Sequence, residues 1–191
     1  LGVEGVHNLR NALGAAAAAR ALGVSWDAIR QGVEAFRGVE RRFERLGSSR
    51  GVEVVDDYAH HPTEIRVTLA AARACFPGRR LVVAFQPHLY SRTRDFSGDF
   101  GASLAEADVV WVTDVFAARE APIPGVSGAL VADAARRAGA AEVRYHASLH
   151  DLPDALAASL RGSDVLLTLG AGSVERVGAE VLRLLGGGAH A

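Results

Sequence analysis

The sequence contains no lysine, so every one of its 21 fully charged basic residues is an arginine. This excludes, within these residues, a phosphate-loop lysine, a Schiff-base lysine and a Ser–Lys pair. Any anion held here is held by Arg, His or backbone N–H groups. Cysteine is nearly absent as well. Cys75 stands alone, which rules out an intrachain disulfide and a Cys-based zinc site and makes the chain read as intracellular and cytoplasmic. There is no methionine, not even at position 1, where Leu1 stands, so the chain reads as part of a longer polypeptide. No apolar run reaches the roughly 18 residues of a membrane span, and Ala15–Ala19 has no basic region ahead of it. Neither a transmembrane helix nor a signal peptide is expected. A net charge of −1 gives no general case for nucleic-acid or membrane binding.

What is present describes a folded chain. Of 191 residues, 49% are apolar and 23% charged, enough to bury a sizeable core and too ordered a composition for general disorder. The length suits one large domain, or one domain with a remnant of another. An Ala-rich helix is expected from Asn8 to Leu22, stopped by Gly23. A second, with Ser25 as its N-cap, runs from Trp26 to Phe36 and is closed by Gly38. These helices have no strand to cover, so residues 1–39 read as the tail of a preceding domain. Residues 40–191 read as a domain of their own.

From about Glu40, short β-branched runs alternate with amphipathic helices. Strands are expected at Arg42–Leu46, Val52–Asp56, Leu81–Phe85, Val109–Thr113, Glu142–Tyr145 and Val165–Leu169. Helical spacing runs through Ile65, Leu69, Ala72 and Phe76, through Phe96, Phe100 and Leu104, through Leu149–Leu160, and through Val174–Leu184. The expected fold class is α/β, a mostly parallel sheet with helices on both faces, ending in a frayed tail over Gly186–Ala191. Ligands of such sheets bind beyond the carboxyl ends of the strands. Four of those ends carry unusual loops: Asp56–Pro62, Gln86–Arg94, Asp114–Gly125 and Gly170–Ser173. In a parallel sheet all four face one rim.

Five segments carry candidate chemistry. Gly5-Val6-His7-Asn8-Leu9-Arg10-Asn11 sets Asn8 and Asn11 at i, i+3 on one helix face. Their carboxamides suit an adenine edge, and a helix N-cap is the plainer reading. Val54-Val55-Asp56-Asp57-Tyr58-Ala59-His60-His61-Pro62-Thr63-Glu64 is the densest polar run. Its carboxylates suit ribose hydroxyls or a metal's water, or simply loop N–H groups, and His61 suits a helix cap. No HxH or HxxxH spacing favours a local zinc site. Gln86-Pro87-His88-Leu89-Tyr90-Ser91-Arg92-Thr93-Arg94-Asp95 brings two arginines to the rim, for a substrate carboxylate or for pairing with Asp95 or Asp99. Arg41-Arg42-Phe43 sits where composition switches, either a solvated run or a hinge arginine that reaches a phosphate as a cleft closes. Gly170-Ala171-Gly172-Ser173 is an incomplete dinucleotide turn, with Glu175 at the sixth position, and suits a tight turn with close helix packing.

Together, and in this order and spacing, the G-x-H-N-x-x-N opening, Arg-Arg-Phe, Asp-Asp-Tyr-Ala-His-His-Pro-Thr-Glu and Gln-Pro-His-Leu-Tyr-Ser-Arg-Thr-Arg-Asp resemble the Mur ligases, as do Ala121–Gly125 and the late Gly-Ala-Gly turn. The resemblance runs from Gly5 to about Leu185. It implies the C-terminal portion of a three-domain, ATP-dependent, amide-forming ligase of peptidoglycan synthesis. Residues 1–39 would close a central ATPase domain, and 40–191 would be the Rossmann-like amino-acid-binding domain. The implied partners are ATP, UDP-N-acetylmuramate and L-alanine, with Mg2+ ligands mainly in the portion upstream. The γ-phosphoryl group of ATP would pass to the substrate carboxylate, and the amine would attack the resulting acyl phosphate.

The resemblance also implies roles. Asn8 and Asn11, with His7 beside them, match adenine contacts. Arg42 matches the arginine directed at the phosphates, and Asp57 the carboxylate on the ribose or hinge side; these two are the catalytic candidates. Tyr58, His60 and Arg92 match the amino-acid-binding group. Two departures stand out. Many members have Arg directly after Pro-His, where this chain has Leu89, so Arg92 or His60 must do more. Ala59 replaces a common Gly, which implies φ below zero there. Other readings are a family member that adds a murein peptide instead of alanine, a stand-alone nucleotide or amino-acid binding module, and a dehydrogenase-type nucleotide domain, the last disfavoured by the incomplete glycine turn.

Overall fold

A computed structural model describes residues 2–3 and 5–187. The chain divides into two compact units, Leu1–Glu40 and Arg41–Ala191. The first holds helices α1 (Val6–Ala21) and α2 (Trp26–Ala35). α1 begins two residues earlier than expected, with Gly5 rather than Asn8 at its N-cap; Asn8 lies inside the first turn, its N–H bonded to the Gly5 carbonyl. Ser25 caps α2 as expected, its hydroxyl accepting the Ala28 N–H. α2 has no buried residue.

The second unit is built on six strands: β1 (Glu44–Ser49), β2 (Val52–Asp57), β3 (Arg80–Phe85), β4 (Val109–Val112), β5 (Val143–Tyr145) and β6 (Asp164–Leu169). Their order is β1-β2-β6-β3-β4-β5. Every pairing is parallel except that of edge strand β1 with β2, a hairpin whose Arg50-Gly51 turn has both residues at positive φ. The central strand β6 is buried along its whole length, and its Val-Leu-Leu-Thr-Leu run suits a strand covered on both faces. On one face Val55, Val83, Phe85 and Val110 pack against Ile65 and Leu69 of α3 (Pro62–Cys75), Phe100 of α5 (Ser97–Leu104) and Val131 of α6 (Gly128–Arg137). On the other, Val54, Val82, Trp111 and Leu166 meet Leu152 and Leu156 of α7 (Leu152–Ser159) and Val177 and Val181 of α8 (Glu175–Gly187). Gly101 lets α5 lie against the Ala134 backbone, where any Cβ would collide.

Several expectations change. β1 starts at Glu44, because Arg41 and Phe43 have φ of 59° and 50° and break the extended run. Helices α4 (Tyr90–Asp95) and α6 are additional. α4 is a short polar stretch without apolar spacing, and the buried stripe of α6 is mostly alanine, which gives little periodic signal. Gly186 and Gly187 belong to α8; the rest of the expected frayed tail, 188–191, lies outside the described residues. No helix among the described residues is long and apolar enough to cross a membrane.

Candidate functional site

Because β2, β6, β3, β4 and β5 run parallel, their carboxyl ends share one rim, and the four loops singled out in the sequence meet there. At the end of β2, Asp56 and Asp57 are almost fully buried. One Asp56 oxygen takes the Arg41 Nε–H at 2.9 Å and the other the Thr168 hydroxyl of β6. Arg41 also donates from Nη2 to the Gly170 carbonyl at 2.6 Å and pairs through Nη1 with Glu175 at 2.9 Å. One guanidinium thus ties the end of β2 to the turn after β6. Both Asp57 oxygens are taken by backbone, the Phe43 and Ala59 N–H groups, each at 2.8 Å. Burial raises both carboxyl groups above their ordinary value, against the opposing pull of these hydrogen bonds and of Arg41 on Asp56 and Arg42 on Asp57. The plain alternative of satisfying loop N–H groups therefore describes Asp57, while Asp56 is an ion-pair anchor.

Tyr58 leaves this corner with its N–H on the Arg41 carbonyl. Arg41 and Arg42 both lie over its ring, at 5.0 and 5.4 Å from the centroid. Arg42 is half-exposed, and among the described residues its only ion pair is a 3.9 Å approach to Glu64. His60 packs edge-on to Tyr58 and places Nδ1 at 2.9 Å from the Tyr58 carbonyl and 3.3 Å from Glu64 Oε2. A carbonyl accepts only, so the neutral ring carries its hydrogen on Nδ1 and leaves Nε2 as the acceptor. Glu64 also takes the His60 and His61 N–H groups. His61 accepts the Thr63 N–H and, with Pro62 opening α3, completes a capping box. Capping is thus the role of His61. Ala59 keeps an ordinary negative φ, as its replacement of glycine implied.

The loop after β3 supplies the facing side. Gln86 is buried and accepts the Val174 N–H at 3.1 Å through Oε1. It lies against the Gly170–Ser173 turn so closely that a Cβ on Gly172 would fall 2.6 Å from Gln86 Oε1. Tight packing, rather than a dinucleotide, accounts for those glycines. His88 stacks on Phe116 at 5.8 Å and lies edge-on to His60 at 5.9 Å, with Arg92 Nη1 3.4 Å from its Nδ1. Burial, with Arg92 and His60 adding positive charge, holds His88 below the usual histidine range. Arg94 points elsewhere and pairs with Asp95 in solvent. After β4, Asp114 accepts the Tyr145 hydroxyl at 2.7 Å and the Gly128 N–H. Burial, with Asp114 beside it, pushes the tyrosine up to about 12.

Of the residues expected from the sequence, Arg42, Asp57, Tyr58, His60 and Arg92 all stand on this rim. His7, Asn8 and Asn11 lie on α1 in the first unit, Asn8 half-buried and Asn11 exposed; the side chain of His7 lies outside the described residues. Arg41, Glu64 and His88 are further parts of the rim that carried no role in the sequence reading. Glu64 was legible as the fourth residue of a capping box, whereas two of the ties of Arg41, to Gly170 and Glu175, run to residues more than a hundred positions away. Among the described residues no group of three or more His, Cys, Asp or Glu is placed to hold a metal ion.

A parallel α/β domain with a cationic, histidine-bearing rim belongs to the class of folds whose ligands bind beyond the carboxyl ends of the strands. Comparison with protein families matches residues 41–172 to the Mur ligase, glutamate ligase domain. The chain belongs to the Mur ligase family. A curated relative, the UDP-N-acetylmuramate–L-alanine ligase of Trichlorobacter lovleyi, is 49% identical over 183 residues, which is 96% of this chain and 40% of the relative. Among solved structures, UDP-N-acetylmuramate-alanine ligase MurC from Thermotoga maritima superposes with a TM-score of 0.79 at 31% identity, covering 95% of this chain and 38% of that one. A murein peptide ligase from Psychrobacter arcticus gives 0.68 at 26%, covering 96% and 38%. The chain spans about 40% of the length of the curated relatives it matches.

Proposed function

We propose that this chain is the amino-acid-binding portion of an ATP-dependent ligase that joins L-alanine to the lactyl carboxylate of UDP-N-acetylmuramate in peptidoglycan precursor synthesis. The observation that carries this reading is the convergence of Tyr58, His60, His88 and Arg92 on one rim, within a chain half identical to alanine-adding relatives. Arg92 supplies a guanidinium to the carboxylate of the amino acid. His60, its Nδ1 committed to Tyr58, turns an accepting Nε2 to the ammonium group and orients it. Tyr58 closes the apolar side, and the arginines over its ring hold it in place.

ATP, when bound, supplies the phosphoryl group that activates the acceptor carboxylate. Arg42, half-exposed and at 3.9 Å from Glu64, fits a phosphate, and Asn8 and Asn11 fit an adenine edge. Asp57, with both oxygens on backbone N–H groups, sets the turn that presents Arg42 and Tyr58. These residues do not fit a Mg2+ site. Every oxygen of Asp56 and Asp57 is turned to a protein donor, and no other carboxylate cluster among the described residues is suitably placed, so no step is drawn through the metal.

The test is phosphate release from the intact polypeptide carrying this segment. Release is expected only when ATP, UDP-N-acetylmuramate and L-alanine are all present, and none above background is expected from the 191-residue chain alone. Release indifferent to L-alanine, or ligase-level release from the 191 residues, contradicts the reading.

A further inference from the structure

Arg119 carries no role in anything described so far, yet the segment that carries it is tied to the rim on both sides. The segment 116–120 is stitched to 87–91 at both ends. The Leu89 N–H donates to the Phe116 carbonyl at 3.0 Å and the Phe116 N–H to the Pro87 carbonyl at 2.8 Å, while the Phe116 ring stacks on His88. Glu120 accepts the Ser91 N–H at 2.8 Å on one oxygen and the Ser91 hydroxyl on the other. Between these anchors Ala118 takes a left-handed conformation, φ 50°, and the Glu120 N–H closes a turn on the Ala117 carbonyl at 2.9 Å. Arg119 sits at the crest of that turn.

Its side chain is exposed and makes no hydrogen bond or ion pair with any described residue. The adjacent carboxylate is turned to Ser91, which donates to both Glu120 oxygens, and it makes no ion pair with Arg119. By contrast, Arg41, Arg80, Arg94, Arg136, Arg144 and Arg183 each hold a carboxylate within 3 Å. Arg119 is close enough to His88 to join Arg92 and His60 in the positive field at that ring. An uncommitted guanidinium on a turn tied through Glu120 and Ser91 to the segment that carries Arg92, and within electrostatic reach of His88, is an arrangement suited to one carboxylate gripped from two sides.

We propose that Arg119 is a substrate-binding residue that, with Arg92, clamps the carboxylate of the incoming amino acid. The proposal rests on the ligase reading above. Glu120 is the positioning residue that fixes Arg119 through Ser91.

In the intact polypeptide, Arg119→Ala is expected to raise the KM for L-alanine by about tenfold or more, the loss of one charged hydrogen bond, and to leave the KM for ATP unmoved. Arg119→Lys is expected to recover part of it. A rise in the KM for ATP instead assigns Arg119 to a phosphate and overturns the proposal. A readout independent of turnover is the titration of the His88 ring in the 191-residue chain, followed by NMR. Its midpoint is expected to rise in Arg119→Ala, as a neighbouring positive charge is removed, and to return in Arg119→Lys; an unmoved midpoint contradicts the placement. Wild-type polypeptide without alanine-dependent phosphate release removes the ligase reading and this proposal together. An active wild type with an unchanged KM for L-alanine in Arg119→Ala removes this proposal alone.

Discussion

The two units of the chain contrast in how they use apolar residues. In Arg41–Ala191 the apolar side chains of the strands are buried on both faces of a six-stranded sheet, and Phe85, Phe100, Leu152 and Leu166 are wholly inaccessible. In Leu1–Glu40 the large apolar residues face outward: Val6, Leu9, Leu13, Trp26 and Phe36 all remain exposed, Trp26 at 62%. Both units have well-formed helices, so helix propensity does not separate them. What separates them is whether a helix has a surface to cover, and most helical stability in proteins comes from that packing. The second unit carries its own thermodynamic basis for folding. The first buries little apolar surface of its own.

The largest expected effect follows directly. A peptide of residues 1–40 should lose most of its helical signal in far-ultraviolet circular dichroism, since helices of 10–16 residues are marginal in water. Residues 41–191 alone should unfold cooperatively at a temperature close to that of the whole chain. A stable, cooperatively melting 1–40 peptide would erase the contrast.

Single substitutions sharpen it. Phe100→Ala, which empties a fully buried ring position between α5 and the sheet, should cost about 3–5 kcal/mol in denaturant unfolding. Trp26→Ala, at an exposed site, should stay within about 0.5 kcal/mol. Equal costs at the two sites would mean that Trp26 is packed after all. Asp164→Ala is a polar counterpart. Its carboxylate is fully buried at the amino end of β6 and held by Arg80 through two hydrogen bonds, so deleting it leaves a guanidinium uncompensated and should cost about 3–5 kcal/mol.

The smallest effect is a pH slope. Burial raises Asp56 and Asp57 above their ordinary value of 3.8, so the folded chain keeps these protons at a pH where the unfolded chain has released them. Their contribution to stability is complete below 3.8 and is lost as pH rises through the folded value. Urea unfolding across that window should show wild-type stability falling relative to Asp57→Asn; parallel profiles would mean that Asp57 titrates as an ordinary carboxyl.

The contrast also explains what could be read from the sequence. Five of the six strands were legible within one residue at either end, and β1 and the α3, α5, α7 and α8 stripes within three, because a buried strand or an amphipathic helix writes its environment into local spacing. α6 was not, since a stripe of alanine looks the same buried or exposed. At the rim, the residues that touch a ligand in the proposed function stood out as a dense polar run. The residues that hold them in place did not. Arg41 reaches Gly170 and Glu175 across the sheet, and Gln86 reaches Val174, and nothing local to either residue signals a partner so far along the chain. Arg119 is hidden for the same reason, its place fixed by the bonds between Glu120 and Ser91.

The central claim is that this self-sufficient unit holds the amino acid at its rim through Arg92. The most direct measurement is the KM for L-alanine of Arg92→Ala in the intact polypeptide, with ATP and UDP-N-acetylmuramate saturating. A rise of about tenfold or more, with the KM for ATP unchanged, is the result the account predicts. An unchanged KM for L-alanine in a folded, active variant would contradict it.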